Sequence, residues 1–479
     1  MKRMALILCA CSIASSMAAA QQPSAAKTRA VALVDKQTPE LIAMSERIWE
    51  LAETALREEQ SAKVLADYAE ARGFTVQRGV AGMPTAVVAS YGEGQPVIGI
   101  MGEYDALPGI SQKASAVKEP VQEGAGGHGC GHNLFGPASL GAAVAIKELM
   151  ASGALKGTVR FLGTPAEESI GGKIYMIREG VFRDVDVVLA WHPDDTTRVD
   201  YMGAQANIQF FVEFQGKTAH AAADPWNGRS AADAIEAFTH GVNLLREHVR
   251  PTVRIHYTVQ RAGDVPNVIP DYARILTWVR DSRRAGVDDV FARVQEIARG
   301  AALIAGVEHT LKIQTGYTEM NILESGLKLL HANLAWLGEP AYTAEEQEFA
   351  RALQKAAGKP EAGMMAALEP LKPIAPDPPG GSTDVGDVSW VAPTLHFYIA
   401  TAPKGVPWHA WPVVASSRMS IGQKGMMRAA QALAATAVDL FENASVRDAI
   451  RREWGEKTKG VTYKWLVPDG PPPIPSHAR

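Results

Sequence analysis

The segment Gly127-His128-Gly129-Cys130-Gly131-His132-Asn133 sets one thiol between glycines, two residues from an imidazole on either side. Thiolate and imidazole are ligands that zinc and similar divalent ions prefer. Two plainer readings stand beside that one, a buried structural cysteine and a nucleophile activated by a histidine. As a nucleophile Cys130 would pair with His132, but a spacing of two residues on a glycine loop makes that geometry awkward. It also leaves Glu167, Glu168 and His192 without a task. Adjacent glutamates send their side chains apart, so Glu168 can bind a metal ion while Glu167 takes a proton from an attacking water. A paired, partly buried carboxylate has its pKa moved toward the working pH of such a base. A solvated charged loop is the plainer reading of the pair. Together with His409, the set Cys130, His132, Glu167, Glu168 and His192 matches the donors of a zinc or manganese hydrolase.

These residues need elements to hold them. Short β-rich runs at 85–90, 97–101, 158–162 and 185–190 alternate with an Ala-rich helix around 138–150, which indicates an α/β sheet with helices on its faces. Glu103-Tyr104-Asp105, Glu167-Glu168 and Trp191-His192-Pro193 each follow one of these strands, and all the candidates are expected on loops. Ligands in such sheets gather at the carboxyl ends of the strands. Thr38-Pro39 reads as a helix start with a helix through Leu51, and a second helix is expected over 61–72. From about Gln205 the order becomes βαββαβ, a ferredoxin-like insert over 205–321. The catalytic domain is then discontinuous, 30–204 and 322–450, followed by a Pro-rich tail, 451–479, expected to be extended or disordered. His240, His248, His256, His309, His331 and His396 read as structural, whereas His128, as far from Cys130 as His132 is, stands as a candidate further histidine of the cluster.

The chain has 479 residues and a net charge of -4 with both signs interspersed, so there is no basic face for nucleic acid. Met1-Lys2-Arg3 followed by an apolar run and Ala18-Ala19-Ala20 reads as a secretory signal over residues 1–20, too close to the N-terminus and too rich in small residues to favour a membrane span. Export to a periplasm or beyond follows, with lipidation at Cys11 as the alternative. Cleavage after Ala20 removes Cys9 and Cys11 and leaves Cys130 with no disulfide partner.

Taken in order, Glu103 to Pro108, Gly127 to Asn133, Gly163 to Glu168, Trp191-His192-Pro193, Gly216 to Ala221 and Gly381 to Asp387 resemble the M20 metallopeptidase family. The likeness is to its cysteine-containing aminoacylase-like branch, nearest the p-aminobenzoyl-glutamate hydrolase group. That resemblance implies two divalent ions, zinc or manganese, held by Cys130, His132, Glu168, His192 and His409, with Glu167 as catalytic base. It implies a homodimer in which His220 reaches a neighbouring active site, and substrate contacts from Asn267 and Arg280. Many members carry a ligand histidine where this chain has Glu103, and Asp105 is then a support for the ligands. Asp384 and Asp387 are expected to orient a ligand histidine or close the pocket. The implied activity is hydrolysis of the amide bond of an N-acyl or N-aroyl amino acid or a short peptide. A non-catalytic binding protein on the same scaffold, or a dipeptidase or carboxypeptidase of other specificity, is the alternative.

Overall fold

The structure is a computed structural model that describes residues 23–378 and 380–475, so the expected signal and Cys11 lie outside the described residues. Among the described residues eleven strands form two sheets. The first takes β1 (Thr75–Arg78), β2 (Val87–Glu93), β3 (Val97–Gly102), β4 (Gly157–Gly163), β5 (Val187–Asp194) and β6 (Arg198–Val199), with β11 (Thr394–Ala400) returning from late in the chain. Its order is β1-β2-β4-β3-β5-β11-β6. The pairs of β3 with β4 and β5, and of β5 with β11, are parallel, while β1, β2 and β6 pair antiparallel, giving the mixed sheet of an α/β fold. Strands β3 and β4 are buried along almost their whole length, as their continuous apolar runs require when helices cover both faces.

The helix His132–Ala151 lies in that cover. It is rich in Ala and Leu, and His132 through Ile146 are all buried. Among the described residues it alone has the length and hydropathy of a membrane-crossing helix, and it is a core helix packed on the sheet. Its first residue is His132, so one candidate sits at a helix start, and His192 lies within β5, where loops were expected for both. The strand β5 runs on past its apolar letters because His192, Pro193 and Asp194 stay paired with Tyr398, Ile399 and Ala400 of β11.

The second sheet is built from β7 (Ala206–Gln215), β8 (Arg254–Arg261), β9 (Tyr272–Asp281) and β10 (Glu308–Tyr317), in the order β10-β7-β9-β8, all antiparallel. Helices Ala231–Leu245 and Arg284–Ala305 pack on one face and close a hydrophobic core separate from that of the first sheet. Strand β8 pairs on one side only.

The end of the chain departs from expectation. A helix, Ala444–Thr458, occupies what was read as the start of the tail, because its charged residues sit on a helical outer face over the buried Ile450. The rest runs extended but packed. Leu466 enters the core of the second sheet and Val467 that of the first. Tyr463 donates to Asp387 Oδ1 at 2.8 Å, and Arg178 donates to the carbonyls of Pro468 and Gly470. Pro-rich segments with few internal hydrogen bonds are held by such side-chain contacts from their surroundings.

Candidate metal centre

Two glycines bring the thiol loop into place. Gly131 takes φ +76°, and a Cβ there would meet Pro193 Cβ at 2.9 Å. At Gly129 a Cβ would meet Ile110 at 2.3 Å, and the carbonyl of this glycine accepts from His409 N at 3.0 Å. That bond ties the distant His409 loop to Cys130, with His409 itself at φ +54°. The glutamate pair follows β4 on a turn where Ala166 has φ +61°. Gly172 packs so closely behind it that a Cβ would lie 2.0 Å from the Pro165 carbonyl.

The donor atoms converge in three groups, each within 4.8 Å: Cys130, His132 and His192; Cys130, Glu168 and His409; and Glu103, His132 and Glu167. The first two groups contain all five ligands expected from sequence and share Cys130. Its Sγ is 3.4 Å from His192 Nε2, and His409 Nε2 is 3.5 Å from Glu168 Oε2. His132 directs Nδ1 at Asp105 Oδ1 at 2.9 Å, and Asp105 Oδ2 accepts from Glu168 N at 2.9 Å. One buried aspartate thus fixes two candidate ligands. His192 Nδ1 faces the Pro193 carbonyl at 2.7 Å, which leaves Nε2 for the thiol side.

Charge in this pocket is unbalanced. Burial and then Glu103 and Glu168 push the Glu167 carboxyl above its ordinary range. Burial also raises Glu168, to about 7, against the pull of His132. The Cys130 thiol is pushed up by burial and by Glu168, and His192 is pushed down by burial and by His132. Burial opposes a charge on His132, yet Glu103, Cys130 and Asp105 outweigh it and draw its pKa up. His132 Nε2 and Glu168 Oε1 are buried without a hydrogen-bond partner. Acids, thiol and imidazoles packed with too little positive charge among them are the arrangement a divalent cation relieves, and the donor set suits one.

The remaining candidates fall elsewhere. His128 is buried with Nε2 on the Ile48 carbonyl at 3.0 Å, and burial lowers it to about 4. Asp384 pairs with Lys173, and Asp387 accepts from Thr318 and Tyr463; the partners of both differ from the expected ligand histidine. Arg280 on β9 donates to Ser382 at 3.1 Å and stacks on Trp278. His220 and Asn267 are exposed and adjacent, bridged through Val268. The Nδ1 of His220 accepts from Ala222 and Ala223 N, so the neutral ring presents Nε2–H outward. Among the described residues no hydrogen bond or ion pair joins either to the cluster around Cys130.

Sequence reasoning passed over two groups. Lys173 is fully buried, 2.6 Å from both Glu103 and Asp384. A lone lysine in the apolar run Ile170-Gly-Gly-Lys-Ile-Tyr-Met was its only signal. Glu58 accepts from Ala166 N at 2.9 Å and supports the turn before the glutamate pair, from a helix start that nothing in the sequence relates to that turn.

The pattern described as Peptidase family M20/M25/M40 matches residues 99–409. The chain is 37% identical over 463 residues to one of the subunits of p-aminobenzoyl-glutamate hydrolase of Escherichia coli (strain K12), covering 90% of this chain and 95% of that one. It is 30% identical over 445 residues to Xaa-Arg dipeptidase of Mus musculus, covering 89% and 92%. The Bacillus subtilis YXEP protein, a dinuclear metal binding peptidase from the M20 family, superposes with a TM-score of 0.60 at 21% identity over 85% of this chain and 99% of that one, which speaks to the fold.

Proposed function

Because the chain belongs to the peptidase family M20/M25/M40 and is a metal-dependent hydrolase, we propose that it cleaves the amide bond of an N-acyl or N-aroyl amino acid, of the p-aminobenzoyl-glutamate kind, or of a short peptide. The observation that carries this reading is the sharing of Cys130 between two ligand groups beside the buried Glu167. Cys130, His132 and His192 would hold one divalent ion and Cys130, Glu168 and His409 a second; zinc and manganese both suit the donors. Bound there, the ions would polarise the scissile carbonyl and acidify the attacking water.

Glu167 is the base in this account. Its carboxylate takes a proton from the water as the oxygen adds to the carbonyl carbon, then gives that proton to the leaving nitrogen as the C–N bond breaks. A carboxyl already drawn up by burial and neighbouring acids is matched to both transfers. Tyr317, donating to the Glu167 carbonyl at 3.3 Å, holds the backbone of this loop from the end of β10. Arg280 presents a fork suited to a substrate carboxylate, with Asn267 as a further polar contact.

His220 would serve the active site of a second copy in a homodimer. The unpaired edge of β8 and the exposed Leu244, Leu303 and Ile304 of the same domain are consistent with burial between copies. Residues 1–20 support export, which points to scavenging of external conjugates. The test is mass-spectrometric hydrolysis of a panel of N-aroyl glutamates, N-acetyl amino acids and dipeptides, with and without chelator. Release of one product class, lost with chelator and regained with zinc or manganese, is expected; release that survives complete metal removal would overturn the mechanism.

A further inference from the structure

The third donor group contains a carboxylate for which the mechanism above has no use. Glu103 lies just beyond β3 with its side chain 1% exposed. One oxygen, Oε1, is 2.6 Å from Lys173 Nζ, and that ammonium is also 2.6 Å from Asp384 Oδ1. The other, Oε2, is 3.0 Å from His132 Nε2. Neither approach is aligned as a hydrogen bond: both Glu103 oxygens and His132 Nε2 are buried without a hydrogen-bond partner, and Lys173 meets Oε1 as an ion pair. Since Nδ1 of the same ring is committed to Asp105, Nε2 is the nitrogen with a lone pair to give.

Two such atoms at 3.0 Å have the spacing of neighbouring ligands. Bonds of about 2.0–2.2 Å at tetrahedral angles set ligand atoms about 3.4 Å apart. We propose that Glu103 is a further ligand of the ion held by His132, bound through Oε2 alone, and that Lys173 is the positioning residue that keeps it there by holding Oε1. The proposal rests on the metal-centre reading given above.

Lys173 suits this task by its placement. A fully buried ammonium persists only where anionic partners surround it, and here two carboxylates do. Asp384 Oδ2 also accepts from Lys173 N at 2.9 Å, so the backbone of the helix Gly172–Arg178 and its lysine head are pinned by one residue. With the ammonium on Oε1, Glu103 has one oxygen free and cannot chelate through both. The competing arrangement is a plain ion pair, in which a doubly protonated His132 is shared by Asp105 and Glu103 and no metal meets Glu103.

Cobalt(II) separates the two. The metal-stripped full chain, Glu103→Gln and Lys173→Met would each be titrated with Co2+, reading bound metal by equilibrium dialysis and the visible absorption of the bound ion. We expect Glu103→Gln to weaken one Co2+ by at least about ten-fold, the smallest loss that removing even a support behind a ligand brings, and to change the ligand-field bands. Lys173→Met should alter the same bands while the thiolate-to-cobalt band from Cys130 stays in place. Should Glu103→Gln not fold, Glu103→Asp keeps the charge on a shorter arm and is read the same way. Unchanged Co2+ affinity and bands in the folded Glu103 variant would overturn the proposal. A wild-type chain that takes up no Co2+, or one whose spectrum does not respond to Cys130→Ser, overturns the metal-centre reading and the proposal with it, and is recognised before any Glu103 variant is measured.

Discussion

Asp105→Asn should loosen the metal centre without touching a ligand. Both aspartate oxygens are in use at 2.9 Å, one on His132 Nδ1 and one on the backbone N–H of Glu168. The partners are donors, and the contacts of His132 hold the carboxyl below its ordinary pKa although burial alone would raise it. Asparagine has the same size but turns one oxygen into an NH2 group, so one of the two contacts becomes donor against donor whichever way the amide lies. A hydrogen bond to a charged group contributes about 1.5–3 kcal/mol. Loss of the partner behind a ligand commonly costs about 10–100-fold in metal affinity, about 1.4–2.7 kcal/mol. The two scales agree, and we expect metal affinity to fall by about that factor, with catalysis falling in step at limiting metal. Chelator-buffered zinc titration with metal analysis measures it, and thermal unfolding of the metal-free proteins checks that the fold persists. Wild-type affinity in a folded variant would refute the claim that Asp105 presents His132 and Glu168.

Two further predictions concern the chain's end. Leu466→Ala removes a side chain shared between the tail and the core of the second sheet, and should cost about 2–3 kcal/mol in denaturant unfolding; no measurable loss would show that the tail is not docked. Asp387 is fully buried and its pKa is raised to about 7, chiefly by burial, so the folded chain holds this proton more tightly than the unfolded one. Its contribution to stability is therefore complete below about pH 4 and is lost as pH rises through 7. Asp387→Asn should flatten that part of the stability–pH curve; an unchanged slope between about pH 4 and 7 would contradict the assignment.

The alternation of strands and helices was legible because β3, β4 and β5 are short apolar runs bounded by turn residues, and the βαββαβ order of the second sheet followed from the same signals. Boundaries were less so. His132 begins a helix directly after a left-handed glycine, where an Ala-rich run alone marks the middle and not the start. Thiol, imidazole and acidic residues are chemically distinctive enough to stand out as candidates, and the resemblance of their motifs to the M20 family sorted five of them as ligands. Their supports did not stand out. Lys173 acts by charge across Glu103 and Asp384, residues 70 and 211 positions away, and no local pattern encodes such a meeting. Asp387 read as a pocket residue because acids near a glycine loop look functional, whereas its partners are Thr318 and the tail's Tyr463. The tail runs extended beyond its helix, one of the two states expected, but its docking was not legible, because proline content reports a lack of regular hydrogen bonding and says nothing about packing.

The role of Glu167 is tested most directly by Glu167→Gln, measured for metal content and for turnover of whichever panel substrate the wild type cleaves. Unchanged metal and fold are expected, with turnover reduced by about 10²–10⁴, the usual share of a positioned general base. A metal-replete Glu167→Gln protein that turns over at the wild-type rate would contradict that role.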